Sequence, residues 1–550
     1  MFSFQRREAV NSNWLWNLLA VGVVALAAVL RFYGLQWGFP DTLHSYSYHP
    51  DEFLTVGAAL GISTSFIPRF YNYPSLYIYL SAFAITAAFV YGVPASIAAA
   101  YLSARVVTAV MGILAVAVIY WSGRALFGVG VGLIAALILC GAPLHVQHSH
   151  FATVDVPSTL FIAAALGFVG LILKQGNWRS YILGGVMVGL AAGTKYNAGV
   201  VVLSIIAAHF LRDGLKLRSI RDGKLWASLG CAIAAFVIST PGVVLAFPSF
   251  ISGFMYELRH TGSGHGLVFA GTGSGFVYTF TRSLWYGLGP GLTLLTGMAV
   301  VWAVFTRSKA VLAVLAFILP YYVLISISEV RFARYTLPLF PAITVLCGWF
   351  VQDWWLRLTQ RRWVIFRWVF LGSVIAIIIG TFYYTLLLNT LFGAPDPRNQ
   401  AASWISSQVS EGSSIGMVEY PWFYSPPLSE TFGYGALPQR QQAIYTTPYK
   451  ISVFAGCEKP GCWYNEGTPP RWVVLSDYET EDALRLRENK HLSLENQRQV
   501  RRILTDLELI REHYVRRMEF GNRVGSFDTR QLPHDMRYVS PTITIYELRR

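Results

Sequence analysis

Eleven apolar runs, each near or somewhat below the roughly 20 residues a helix needs to cross a bilayer, fill most of the chain before residue 390. They lie at 14–33, 102–122, 126–142, 157–173, 181–194, 197–211, 226–247, 281–305, 310–328, 335–352 and 368–388. The shorter runs rely on tilt or local bilayer thinning. Charge content agrees. Only 13% of residues are Asp, Glu, Lys or Arg, where a soluble domain carries roughly a quarter. The expected class is mainly α, a polytopic membrane domain of about eleven helices over residues 1–388.

A twelfth stretch, YPSLYIYLSAFAITAAFVYG at 73–92, is ambiguous. Basic residues decide its placement, because Lys and Arg concentrate in cytoplasmic loops. With Arg6 and Arg7 inside and 73–92 left out of the spans, the cytoplasmic loops carry Arg124; Lys174 and Arg179; Arg212, Lys216, Arg218, Arg221 and Lys224; Arg307 and Lys309; and Arg357, Arg361, Arg362 and Arg367. A crossing at 73–92 would turn nearly all of this charge outward. The stretch is therefore expected to dip into or lie along the outer leaflet, inside a first external loop of 34–101. Orientation of the chain accounts for much of the net charge of +14, so nucleic acid is not an expected partner; the basic face it needs is missing. The N-terminus lacks a small-residue cleavage site and reads as an uncleaved first span. The expectation is a plasma (inner) membrane protein with a cytoplasmic N-terminus and membrane lipids around it.

Residues 389–550 read as a small extracytoplasmic α/β domain. WVVLSDYE and TITIYEL are strand-like, a charged helical stretch runs from about 481 to 518, and APDPR, YSPPL and GTPPR mark turns. Cys457 and Cys462 fit a local disulfide if this part faces an oxidising compartment. A zinc half-site is the rival, without a second ligand pair at suitable spacing. Cys140, Cys231 and Cys347 lie in apolar runs and read as buried small residues. Internal repeats and phosphate-cradling glycine motifs are missing.

The polar loops HSYSYHPDEF, HVQHSHFATVDVP, ELRHTGSGH and SEVRFARY all fall on the outer side of this topology. Titratable residues near membrane depth usually line a cavity or pair with one another. Four such loops on one face point to a site.

These residues carry a family resemblance. An acidic pair soon after the first span, followed by YNYPSLYIYL, resembles membrane glycosyltransferases of the GT-C superfold. The nearest likeness is to the dolichyl-phosphate-mannose protein mannosyltransferases and the bacterial aminoarabinose transferases of lipid A. YLSARVVTAVMGILAV, GRALFG, HVQHSHFATVDVPSTLF, GLAAGTKYNA and RFARYTLPLFPA follow in order. DPRNQAASWI and PWFYSPPL in the tail resemble bacterial members with an extra-membrane domain. The resemblance implies a sugar donor linked to a polyprenyl phosphate, and an acid of the first external loop serving the acceptor side.

Transfer to a hydroxyl needs a base for the acceptor and charge stabilisation for the departing phosphate. Asp51 is the expected base, with Glu52 or Asp155 assisting. One base suits an inverting single displacement; a retaining route needs a second carboxylate as nucleophile. Both Asp51 and Glu52 would equally suit a helix start, and Asp155 a cap near Pro157. Arg331 and Arg334 are expected phosphate ligands through their guanidinium forks, with a helix-boundary cation or a Glu329 pair as the alternative. Lys195, costly in an apolar hairpin unless paired, joins them. Arg105 is assigned to the phosphate too, or to holding the first loop through an acid. His49, His148, His150, Tyr73 and Tyr335 are expected to contact substrate. No cofactor is required. His148 and His150 with His49 or His265 leave a divalent metal as a weaker alternative. The acceptor is a protein, lipid or envelope glycan. The rival from another class is a transporter or flippase of lipid-linked saccharide, whose usual inverted repeats are not seen.

Overall fold

A computed structural model describes residues 2–361, 363–521 and 527–549, with side chains from Trp14 onward. The side chains of Arg6, Arg7 and Arg362, used above for sidedness, lie outside the described residues.

Each of the eleven runs is helical. Seven helices are long and apolar enough to cross a membrane: Trp14–Phe32, Ile97–Leu126, Asp155–Lys174, Leu217–Ser239, Lys309–Ser326, Ala333–Gln360 and Val364–Thr390. The other four runs give shorter elements: Val129–Cys140, Trp178–Thr194, Val202–Asp213 and Pro290–Val304. Local chemistry trims them. Gly128, at φ +120°, ends one helix and starts the next. Pro290 opens Pro290–Val304 at a position where its missing N–H does no harm. Asn177 caps Trp178–Thr194 by accepting from the Ser180 N–H at 2.9 Å.

The ambiguous stretch forms a 15-residue helix, Leu76–Val90. At about 1.5 Å per residue it falls short of the hydrocarbon thickness. It packs through Tyr77, Ile78, Ala82 and Ile85 on the bundle, and the Tyr77 hydroxyl donates to the Ala104 carbonyl at 2.9 Å. Small residues on the shorter helices let them approach the long ones closely, as is common in membrane bundles. A Cβ on Gly185 would stand 2.1 Å from the Ser228 carbonyl oxygen, and one on Gly132 2.3 Å from that of Tyr120.

Beyond Thr390 the chain builds a five-stranded mixed sheet from β1 (Ser414–Met417), β2 (Lys450–Val453), β3 (Trp472–Ser476), β4 (Tyr514–Phe520) and β5 (Ile543–Leu548), in the order β2-β1-β3-β5-β4. Strands β2, β1 and β3 run parallel; β5 is antiparallel to β3 and β4. Side chains alternate across β3. Trp472 and Val474 meet Ala401 and Ile405 of Pro397–Gln408 in one core, while Val473 and Leu475 meet Ala483, Leu486, Val500 and Ile503 in the other.

Two expectations for the tail need correction. The strand expected at WVVLSDYE stops at Ser476, which forms a reciprocal capping box with Glu479 and opens the helix Asp477–Leu486. The helix expected over 481–518 is two, Asp477–Leu486 and Leu494–His513, and the chain turns extended at Tyr514 to enter β4. Ser493 restarts the second helix by accepting from the Asn496 N–H. Cys457 and Cys462 are disulfide-bonded, which leaves no thiolate pair for zinc.

The tail is docked on the bundle. Ser45 N–H donates to the Glu430 carbonyl at 2.9 Å, and Gln147 Nε2 to the Met536 carbonyl at 2.7 Å. Phe423, Met536 and Tyr538 share a buried core with Trp37 and Phe151.

Candidate active site

The loop after the first helix is fastened by one buried ion pair. Arg105 Nε and Nη2 each donate to the Glu52 carboxylate at 2.7 Å. Its Nη1 donates to the carbonyls of Leu35 and Trp37, at 2.9 and 2.6 Å, and Nη2 also to Ser47 Oγ at 3.1 Å. Glu52 accepts further from the Ser47 hydroxyl and from the Ala152 N–H. Both side chains are fully buried. Arg105 therefore has no nitrogen left for a phosphate, and Glu52 no free oxygen for a substrate proton. This corrects their assignment to the phosphate and to catalysis; they clamp the loop.

Asp51, one residue earlier, faces elsewhere. It occupies the N-cap position of Glu52–Gly61 yet makes no side-chain capping bond. Its Oδ2 lies 3.0 Å from Arg334 Nη2. Asp155 likewise makes no cap. It sits in the first turn of Asp155–Lys174, with an oxygen 2.5 Å from Lys195 Nζ. Lys195 is delivered there because Trp178–Thr194 ends at it, in extended backbone, before the 3₁₀ turn Tyr196–Val201. Arg334 lies at the start of another 3₁₀ turn, Ala333–Leu339. Asp51, Asp155 and Arg334, expected on the outer face, and Lys195, expected in an apolar hairpin, thus converge from four distant parts of the chain.

Asp155, Lys195 and Arg334 border a cavity of about 470 Å³, lined also by Tyr73, Glu257 and Tyr335; Asp51 is not in that lining and meets it through Arg334, with its side chain 18% exposed. The Lys195 ammonium is 4.9 Å from the centre of the Tyr335 ring, and the Arg334 guanidinium 4.1 Å from that of Phe332. Asn72, Asn197, Thr261 and Ser328 add polar groups, and the remainder of the wall is largely apolar. Leu258, Leu324 and Ile327 line the cavity and are 52, 40 and 65% exposed, so its mouth opens between hydrocarbon side chains. Burial lifts the Asp51 carboxyl above the usual carboxylate range, with Arg334 acting against that lift and Asp155 adding to it.

Glu257 and Asp535 were not assigned from sequence. Glu257, on Phe247–Ser263, lines the cavity, and its carboxylate has no hydrogen-bond or ion-pair partner among the described residues. Burial raises its carboxyl, against the pull of Lys195 and Arg334. Asp535, from the tail, accepts the N–H groups of Ala333 and Arg334 at 3.0 and 2.9 Å. No sequence signal ties Asp535 to a loop two hundred residues earlier.

Other expected site residues stay outside the cavity. Arg331 donates to Thr272 Oγ1, the Gly273 carbonyl and the Ser328 carbonyl at 2.8, 2.7 and 3.1 Å, so it ties two loops together rather than facing a phosphate. His150 has its ring nitrogens 2.9 and 2.8 Å from the carbonyls of Val146 and Tyr33 and stacks on Phe392; it is a packing residue. His49 Nδ1 accepts the Asp51 N–H at 3.3 Å, placing it behind the acid rather than against substrate. His148 is buried 6.4 Å, ring to ring, from His49, with neither nitrogen bonded to protein. Burial depresses His148 to about 3 and His49 well below the usual imidazole value. Both His150 nitrogens are taken by carbonyls and His265 packs on Phe332, so these histidines do not converge on one ligand position.

This helical bundle, with a polar cavity at one end and a docked α/β domain, has the GT-C fold of membrane glycosyltransferases. The chain is similar to ArnT from Cupriavidus metallidurans bound to undecaprenyl phosphate, with a TM-score of 0.51 and 15% identity over 97% of this chain and 98% of that one. It is similar to the archaeal oligosaccharyltransferase AglB from Archaeoglobus fulgidus, in complex with an inhibitory peptide and a dolichol-phosphate, with a TM-score of 0.51 and 13% identity over 97% and 89%. In sequence, residues 82–243 match the family described as dolichyl-phosphate-mannose-protein mannosyltransferase, a stretch that holds Asp155 and Lys195. No curated protein matches the chain.

Proposed function

We propose that this protein transfers a sugar from a polyprenyl phosphate to a hydroxyl on a protein, lipid or envelope glycan, at the outer face of the plasma (inner) membrane. The observation that carries this reading is the cavity. Lys195 and Arg334 stand in its wall, and exposed Leu258, Leu324 and Ile327 frame its mouth. A donor with an anionic head and a long hydrocarbon tail has both requirements met there. The ligands named for ArnT and AglB, undecaprenyl phosphate and dolichol-phosphate, have that chemistry.

Lys195 and Arg334 already hold Asp155 and Asp51. A donor phosphate shares these cations, and guanidinium forks suit its oxygens. As Arg334 turns to phosphate, Asp51 loses its stabilising partner and becomes a stronger base. The acceptor hydroxyl then gives its proton to Asp51 while its oxygen bonds the anomeric carbon. The bond from that carbon to the phosphate oxygen breaks, and the charge gained by the polyprenyl phosphate is met by Lys195 and Arg334. A single displacement inverts the anomeric centre. Tyr73, Tyr335 and Glu257 are positioned to contact the sugar, and Asp155 keeps Lys195 in place.

The test is purified protein given a labelled polyprenyl-phosphate sugar and candidate acceptors. Label should pass to a hydroxyl acceptor with inverted configuration. Movement of intact lipid-linked saccharide across vesicles without donor consumption would instead establish a transporter.

The pH dependence follows from Asp51. Its carboxyl is raised, and only the carboxylate accepts a proton. Transfer should therefore be complete above the raised pKa and fall as pH drops through it. The acid limb of kcat/KM should lie above the ordinary Asp value of about 3.9. A limb at or below that value would remove Asp51 as the titrating base.

A further inference from the structure

We infer that Asp535 is a positioning residue for the donor phosphate, so that the tail domain supplies part of the site; this rests on the donor reading above. The first N–H groups of a helical turn have no partner within it, and the turn beginning at Ala333 carries Arg334. Asp535 closes both openings: Oδ1 accepts from Ala333 at 3.0 Å and Oδ2 from Arg334 at 2.9 Å. The same Oδ2 stands 3.9 Å from Arg334 Nη1, and the Tyr538 hydroxyl lies 3.4 Å from that nitrogen. One carboxylate thus holds the backbone of Arg334 and faces its guanidinium.

Burial supports a dedicated role. Asp535 is 0% exposed, and a buried carboxylate is costly unless paired and hydrogen-bonded. Its loop is pinned from both sides. The Tyr478 hydroxyl of the tail donates to the His534 carbonyl at 2.9 Å, and Gln147 of the bundle donates to the Met536 carbonyl at 2.7 Å. Arg398 Nη2 adds a bond to the Tyr538 carbonyl at 3.1 Å. Asp535 therefore cannot follow the tail away from the bundle without releasing Arg334. It is fully buried, where the Asp51 side chain is 18% exposed, and it does not line the cavity, so it acts through Arg334 and not on substrate.

The test uses full-length protein in detergent with undecaprenyl phosphate, without sugar, as the probe. Asp535→Asn should weaken binding at least about tenfold, a difference of about 1.4 kcal/mol, per folded molecule. In turnover, the donor KM should rise similarly while the acceptor KM stays unchanged. Tyr538→Phe, which keeps the carboxylate, should weaken probe binding two- to threefold and provides the reading if Asp535→Asn does not fold. A merely structural Asp535 would lower the melting temperature and the folded yield, with probe affinity per folded molecule unchanged, and would overturn the inference. Equal affinity in wild type and both variants would overturn it while leaving the donor reading intact. Failure of wild type to bind the probe would overturn the donor reading and this inference with it.

Discussion

Asp51→Asn should lower kcat for sugar transfer by a factor of about 10² to 10⁴, the usual worth of a positioned general base. The amide keeps the shape of the carboxyl but cannot take a proton at neutral pH. Donor binding should survive, and even tighten, because Arg334 loses the carboxylate that holds it at 3.0 Å. The signature is therefore a fall in kcat with an unchanged or lower donor KM. Stability should change little, since the Asp51 side chain makes no helix cap and Arg334 keeps the Asp535 carboxylate beside it. Steady-state kinetics with labelled donor separate these effects. Transfer by Asp51→Asn at the wild-type rate would sink the assignment.

Arg105→Met should cost about 3–5 kcal/mol of stability, the range for breaking a buried pair by removing one partner. Glu52 would be left fully buried, with only the Ser47 hydroxyl and the Ala152 N–H as donors. The carbonyls of Leu35 and Trp37 would lose their donor as well. Replacing both partners by apolar residues, Glu52→Leu with Arg105→Met, should recover much of the loss, because no charge then stays buried unpaired. Thermal unfolding in detergent and the yield of folded protein measure both variants. A single variant that melts like wild type would rule out the clamp.

Legibility differed sharply between neighbouring residues. Asp51 and Glu52 are adjacent acids, and nothing local separates base from clamp. About 100° of rotation per residue at the start of a helix aims one at Arg334 and the other at Arg105. Arg331 and Arg334 are three apart in one loop and read alike. In the fold, Arg331 precedes the 3₁₀ turn and is consumed by Thr272 and Gly273, while Arg334 enters the turn and faces the cavity. His148 and His150 divide in the same way, since only His150 finds carbonyl partners for both nitrogens. The charged stretch after 481 misled because acids and bases at helical spacing do not reveal where Ser493 restarts a helix or where Tyr514 enters a strand.

By itself the sequence determined what local physics governs. Long apolar runs become helices because a bilayer leaves the backbone no other partner for its hydrogen bonds. Asp51, Asp155, Lys195 and Arg334 could each be nominated as site residues because charge beside an apolar span is costly without a partner. Only the tertiary structure decided which charges meet. A pair's strength depends on separation and burial, and both are set by residues far away along the chain. Asp535, which reaches Arg334 from 201 residues further along the chain, is the plainest instance.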